Sequence, residues 1–317
     1  MDRKTNFQIL QNFTIDNLPD LDTVVLGALE MLAGRDLPTI NVSKFKRPLV
    51  VGSGNAEATG RVIFGESDAI FASESTVEEK LAHIKDIDEV IIVSASGAKH
   101  APIIAKAAKR AGKHVTLITN SPNSPARQEL TTAELSDHVF PKNREPYTYN
   151  TSTYMSMILG YTRENPAAIY KFIKENIDKL ALPDFSKFTK YYLIVPTKFA
   201  GIITFLQIKF IELFGRNVAR DVGTTESILH ANTVAPAEEI FISFGKENNT
   251  WGKPENRLNV PLSESANYAA MMAIGYYVIA QIQKAQPQYF KQNIASYCKF
   301  ISEKFDEDIE PVVEGNL

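Results

Sequence analysis

Apolar positions in this chain fall into short unbroken runs separated by longer stretches with helical spacing. PLVVG at 48–52, DAIFAS at 68–73, DEVIIVS at 88–94 and KHVTLIT at 113–119 read as strands. Runs that lack polar alternation belong to strands buried on both faces. Between them, residues 60–65 and VEEKLAHI at 77–84 have helical spacing. A further helix is expected from near Pro102 to just before Gly112, because proline suits a first helical turn and glycine the residue past the last. Such alternation predicts an α/β domain with a doubly wound parallel sheet.

After HVFPK at 138–142 the pattern loosens. The second half of REPYTYNTSTYMSMILGY has helical spacing, a helix follows over about 165–180, and LPDFSKF at 182–188 reads as a linker because proline and small polar residues interrupt the periodicity. YYLIVP at 191–196 restarts the alternation, followed by the helix GIITFLQIKFIELFG, strands EIFISFG at 239–245 and LNVP, and a long buried helix in ESANYAAMMAIGYYVIAQIQKA. Two doubly wound parallel-sheet domains in tandem are therefore predicted, spanning residues 1–183 and 184–317. The acidic tail EKFDEDIEPVVEGNL reads as a solvated end, and the aromatics of YTYNTSTY are expected to pack between domains.

Composition narrows the chemistry. The formal net charge of −3 gives no footprint for nucleic acid or an acidic membrane surface, so small molecules or proteins are the expected partners. The N-terminal segment MDRKTNFQIL has no apolar core of signal length, and no stretch is apolar enough to span a bilayer. A single cysteine, Cys298, suits a reducing cytoplasm, and no cysteine and histidine cluster has metal-ligand spacing.

Ligands of open parallel sheets bind at the carboxyl ends of the strands, where loops lead into helix N-termini. Three such loops are candidates: GSGNA at 52–56, SASGAKH at 94–100 and TNSPNSP at 119–125. The first is no dinucleotide fingerprint, since the third glycine would fall at Glu57, and no P-loop occurs anywhere. SASGAKH suits a phosphate: Ser94 and Ser96 offer hydroxyls, Gly97 and Ala98 their amides, and Lys99 and His100 positive charge. The alternative is a polar turn between two buried elements. Of the five histidines, His83 reads as a surface residue, and His114 and His138 are expected at the strand ends remote from these loops. That leaves His100 and His230 as candidates for chemistry. Glu212, within an apolar helix, is either functional or paired with Lys209 or Arg216 one turn away. Glu145 before Pro146 could equally cap or close its loop.

The order GSGNA, VSASGAKHAP, TNSP resembles the sugar isomerase (SIS) domain, whose members carry a Gly-x-Gly-x-Ser loop and a Ser-x-Ser-Gly-x-Thr phosphate loop. EPYTYNTSTY is similar to the Glu-x-x-x-Ala-x-Thr-Lys-x-Phe segment of double-SIS proteins such as the isomerase part of glucosamine-6-phosphate synthase, with Glu145, Thr151 and Tyr154 on matching positions. LQIKFIELFGRNVARDVGTTESILHAN resembles the family's Leu-Lys-x-x-Glu helix and Glu-x-x-His-Gly-Pro loop. The resemblance spans roughly residues 20–300. Ala56 stands in place of the first loop's serine, Lys99 in place of the second loop's threonine, HAN in place of His-Gly-Pro, and Glu226 lies four residues before His230 instead of three.

The resemblance implies two flavodoxin-like SIS domains that bind a sugar phosphate, a hexose 6-phosphate before others, and interconvert aldose and ketose forms without metal or cofactor. It implies Glu212 as the enediol base and His230, supplied by the neighbouring subunit of a homodimer, as the ring-opening group. Gly54, Asn55, His100, Thr119, Glu145 and Thr151 are then substrate-binding residues, and Lys291 a candidate for the lysine that some relatives contribute from their C-terminal region. Two alternatives remain: an amino-sugar-phosphate deaminase or phosphosugar-adduct deglycase of the same fold, and a non-catalytic phosphosugar-binding regulator.

Overall fold

The computed structural model describes residues 4–234, 236 and 238–317, so the first three residues of the N-terminal segment lie outside it. Helices α1 (Asn6–Leu10) and α2 (Leu21–Ala33) come first. Then follow β1 (Leu49–Val51), α3 (Asn55–Phe64), β2 (Ile70–Ala72), α4 (Val77–His83), β3 (Glu89–Val93), α5 (His100–Arg110), β4 (His114–Thr119) and β5 (Leu135–Val139). After β6 (Glu145–Pro146), α6 (Thr151–Thr162) and α7 (Pro166–Phe172) the pattern resumes with β7 (Lys190–Val195), α8 (Ile203–Phe214), β8 (Ala219–Thr224), α9 (Ser227–Ala231), β9 (Glu239–Phe244) and β10 (Arg257–Val260). Helices α10 (Tyr268–Ala285) and α11 (Tyr289–Phe305) and the short β11 (Val312–Val313) complete the chain.

The first five strands form an all-parallel sheet in the order β2-β1-β3-β4-β5. In β3 and β4 the residues after the first are buried without alternation, as expected of strands covered on both faces. Ala101, Ile104, Ala105 and Ala108 of α5 pack on one face with Leu49, Val51, Val90 and Ile92. The edge strand β5, LSDHV, is only half-buried, which is why its polar sequence gives no strand signal. The second sheet is also parallel, in the order β10-β9-β7-β8. Its edge strand β8, ARDVGT, lies in what reads as a loop, because half of its residues face solvent and carry charge or small side chains.

The division of the chain departs from the expected break at 183. One compact unit holds residues 35–142, 152–163 and the last two, with the first sheet; the other holds the chain up to Gly34, 143–151 and 164–315, with the second sheet. Helix α2 is recruited to the second unit because its apolar side packs on α7 and α10, and the backbone amide of Leu21 donates to buried Gln283 at 3.0 Å. The C-terminal tail is no solvated end: Val312–Val313 pair antiparallel with Glu145–Pro146, and Tyr147 N–H donates to Pro311 O at 2.8 Å. Tyr149 is fully buried within its own unit, its ring 4.8 Å from that of Phe290. Among the described residues no helix is long and apolar enough to cross a membrane.

Candidate functional site

In the first sheet the strand order reverses between β1 and β3, and the crevice outside their carboxyl ends is where a doubly wound sheet receives a ligand. GSGNA and SASGAKH lie there, after β1 and β3. Helix α5 begins at His100, two residues earlier than Pro102 suggests, with Lys99 as its N-cap at φ 54°. A non-glycine residue in the left-handed region is strained, and such strain gathers at functional loops. The hydroxyl oxygens of Ser94 and Ser96 accept from the amides of Gly97 (3.1 Å) and Ala98 (3.2 Å). The two amides expected to face a phosphate are thus engaged by the loop itself. A serine oxygen that accepts one hydrogen bond keeps its own proton to donate, so the loop is stiffened with two hydroxyl donors ready for an anion.

Gly97 is required by packing as much as by conformation. Its φ is +63°, and a Cβ there would lie 1.7 Å from the hydroxyl oxygen of Ser124. Ser124 is buried and donates to Gly97 O at 3.2 Å, while Ala126 N–H donates to the same oxygen at 3.0 Å. The TNSPNSP loop therefore buttresses the SASGAKH loop from behind. Gly97→Ala is expected to destabilise this unit by about 2–4 kcal/mol through backbone strain and overpacking, read by denaturant unfolding; unchanged stability would remove the buttress argument.

Thr119 acts in the same support. It is wholly buried, and its hydroxyl donates to Ala95 O at 3.1 Å, so it holds the loop's backbone and offers a ligand no surface. Its neighbour Asn120, which residue patterns do not single out, has a buried side-chain oxygen without a hydrogen-bond partner among the described residues, and so has Asn55 at the start of α3. A buried acceptor of this kind calls for a donor from water or ligand. Gly54 sits at φ +56° with open space on its Cβ side, so the backbone there leaves room for a bound group.

In the second unit, Glu212 occupies the last turn of α8. Its carboxylate lies 2.6 Å from the ammonium of Lys209, so the pairing with Lys209 is realised. Lys209 is completely buried, a costly place for a charge unless its donors are used. Here it donates to Thr148 O (3.1 Å), Tyr149 O (2.7 Å) and Glu212, and its ammonium faces the rings of Tyr276 and Tyr149 at 5.1 and 5.5 Å. Burial holds the Glu212 carboxyl above its usual range, opposed by the attraction of Lys209. Glu212 nevertheless keeps 18% of its side chain exposed, facing a cavity of about 440 Å³. Thr148, Asn217, Tyr289, Phe290, Asn293 and Tyr297 also line it. Thr148, a β-branched residue at φ 72°, has a buried hydroxyl oxygen without a partner among the described residues. Only Glu212 of this wall is legible in the sequence, as a charge in an apolar helix; α11 contributes polar residues whose spacing reads as an ordinary amphipathic helix.

His230 does not meet Glu212 within the chain. α8 runs from the carboxyl end of β7 back to the amino end of β8, which places Glu212 near the amino ends of the strands. His230 lies instead, exposed, on the short α9 beyond the carboxyl end of β8. Lys291, on α11, pairs with Asp20 at 2.7 Å and is not among the cavity's lining residues. Glu145 is buried and accepts the amide of Thr151 at 2.6 Å, which makes it a cap for α6; Thr151 and Tyr154 are buried on that helix. His138 proves to be near the carboxyl end of β5, on the side of the loops, where burial and nearby Lys44 lower its pKa. That placement corrects the expectation of a remote position, because the edge strand extends one residue beyond it. His114 does sit at a remote end, its Nδ1 2.7 Å from Glu89. Among the described residues no group of His, Cys, Asp and Glu could hold a metal ion.

No protein-family model matches the chain, and no curated protein matches it in sequence. Solved structures do match in fold. Glucosamine-6-phosphate deaminase from Thermotoga maritima superposes with a TM-score of 0.59 at 13% identity, over 83% of this chain and 92% of that one. The C-terminal domain of glucosamine-fructose-6-phosphate aminotransferase from Francisella tularensis gives 0.55 at 10%, over 92% and 97%. Tagatose-6-phosphate ketose/aldose isomerase from Escherichia coli gives 0.54 at 11%, over 84% and 88%. At such identity the likeness is one of fold, and with its two parallel sheets and the order of its loops this chain has the tandem sugar isomerase (SIS) fold.

Proposed function

We propose that this protein binds a sugar phosphate, a hexose 6-phosphate first among them, and interconverts its aldose and ketose forms through an enediol. One observation carries this reading: Glu212, a carboxyl raised by burial, on the wall of a cavity of about 440 Å³ and backed by a fully buried ammonium. A base that moves a proton between adjacent carbons works best with a pKa nearer neutrality than an exposed carboxylate has. The charge of Lys209, buried behind Glu212, would favour negative charge that develops in the cavity. The phosphate falls to the hydroxyls of Ser94 and Ser96 and to Lys99, in a loop stiffened by the amides of Gly97 and Ala98, with Asn55 as acceptor for a substrate donor. The reaction as proposed needs no cofactor, since no net oxidation or reduction occurs.

His230 opens the ring from the neighbouring subunit of a homodimer. Supporting this are its place at the opposite end of the second sheet from Glu212 and the exposure of the apolar residues around it, Leu229 at 63% and Val234 at 75%. A panel of hexose, pentose and amino-sugar 6-phosphates, scored by thermal shift and then by NMR for turnover, tests the reading; it fails if none raises the melting temperature. Mixing inactive Glu212→Gln and His230→Ala subunits is expected to restore about a quarter of wild-type activity, because half of randomly formed dimers carry one intact shared site. No recovery, with subunit exchange verified, would place both residues outside a shared site. Loss of an amine from an amino-sugar phosphate by the same base is the second reading, favoured by a carboxylate, Glu74, beside the phosphate loop. Ammonia in a coupled assay separates the two.

A further inference from the structure

The carboxyl ends of β4 and β5 are tied together by a residue far along the chain. The ladder between these strands ends at Thr119 and Val139, and Phe140 N–H donates to Thr119 O at 2.7 Å just beyond it. Past that point stands Asn316, which follows β11 and is half-buried. Its side-chain nitrogen donates to Asn120 O at the exit of β4 and to Phe140 O (3.0 Å) at the exit of β5. Its side-chain oxygen accepts from Lys142 N–H at 2.6 Å, and its own N–H donates to Lys142 O at 3.2 Å. An asparagine amide offers two donors and an acceptor, so one side chain continues the pairing of the two strands beyond their ladder.

This pairing bears on the phosphate loop through Asn120. The Asn120 N–H donates to Ala95 O at 2.9 Å, and the hydroxyl of Thr119 donates to the same oxygen at 3.1 Å. Ala95 lies between Ser94 and Ser96, the residues whose hydroxyls are read as phosphate donors. Asn120 is therefore fixed on both sides of its backbone, its N–H by the loop and its carbonyl by Asn316. Binding groups serve a ligand well only when the residues behind them hold them to within about 0.5 Å. Ser124 and Ala126 hold the loop at Gly97, whereas its hold at Ala95 comes from Thr119 and Asn120. We propose that Asn316 is a positioning residue for the phosphate site: through Asn120 it sets the carbonyl of Ala95, and with it the spacing of the Ser94 and Ser96 hydroxyls. This rests on the phosphosugar reading above and makes the segment after β11 a lever on phosphate affinity, separate from the chemistry at Glu212.

The test is calorimetric titration of wild type, Asn316→Ala and Asn316→Asp with inorganic phosphate and with glucose 6-phosphate, beside KM and kcat for that sugar followed by NMR. Circular dichroism and thermal unfolding confirm that each variant is folded. Aspartate keeps the shape of the side chain and the acceptor for Lys142 but removes both donors. Both variants are expected to bind either ligand about tenfold more weakly, the usual worth of one lost hydrogen bond in the support. KM should rise by the same factor while kcat stays within about twofold, because no reacting group is touched. Unchanged affinity in either folded variant overturns the proposal and leaves phosphosugar binding standing. A kcat that falls as far as KM rises also overturns it, since the damage is then general. If neither ligand binds folded wild type, the phosphosugar reading itself falls, and the proposal with it. Should the variants fail to fold, hydrogen exchange of wild type decides. Coupling between two positions is reciprocal, so inorganic phosphate is expected to slow exchange at the amides of Asn120 and Asn316; rates unmoved by bound phosphate overturn the proposal.

Discussion

Glu212→Gln is expected to lower kcat by about 10³-fold, within the usual worth of a positioned acid or base, while KM for the same sugar phosphate stays within about threefold. Glutamine keeps the shape of the side chain and an oxygen for Lys209, so the fold survives; what disappears is the group that takes the proton. The pH profile gives a second reading of the same residue. Burial raises the Glu212 carboxyl, against the pull of Lys209. A base must be deprotonated to act, so kcat is expected to fall as pH drops through that raised value, at a pH above the ordinary carboxylate range. Stability runs the other way. The folded state binds this proton more tightly than the unfolded one, so the group's contribution favours folding below the ordinary value and is lost as pH rises through the raised one. Turnover of Glu212→Gln at the wild-type rate, followed by NMR, would end the catalytic assignment.

Lys209→Met is expected to destabilise the second unit by about 3–5 kcal/mol, the range for removing one partner of a buried ion pair. Two losses combine. Glu212 is left partly buried without its counter-charge, and the carbonyls of Thr148 and Tyr149 lose the donor that holds the strained turn at Thr148. The remaining activity should show its acid limb shifted to higher pH, because the attraction that lowers the Glu212 pKa is gone. Denaturant unfolding and the pH profile of kcat together check this. A stable variant with an unmoved profile would mean that Lys209 neither supports the turn nor tunes the carboxyl.

Much of the first unit was legible because its code is local. Unbroken apolar runs in β3 and β4 reflect burial on both faces, and the helices between them show periodic apolar positions. The edge strands were not legible: β5 and β8 bury only part of their surface, so LSDHV and ARDVGT carry too few apolar residues to signal. At the site, Ser94, Ser96, Gly97 and Lys99 stood out by their position after a buried strand. Asn120, Thr148 and Asn293 did not, since an unpartnered buried oxygen or a place on a cavity wall depends on neighbours distant in sequence.

By itself the sequence determined the α/β class, the order of the loops on the carboxyl edge of the first sheet, and the anomaly of a carboxylate in an apolar helix, because each follows from residue types within one or two turns of chain. Tertiary structure decided the rest. It assigned α2 to the unit of the second sheet, turned Thr119 into a support, and drew the acidic tail into a strand against Glu145–Pro146. It also gave the Lys209 ammonium its two backbone acceptors from a loop about 60 residues away in sequence. Glu212 and His230 ended at opposite ends of one sheet, although only 18 residues separate them, because strand β8 carries the chain across the sheet's length between them. Burial and long-range pairing set a side chain's charge state and partners, and neither is encoded in the periodicity of the segment that bears it.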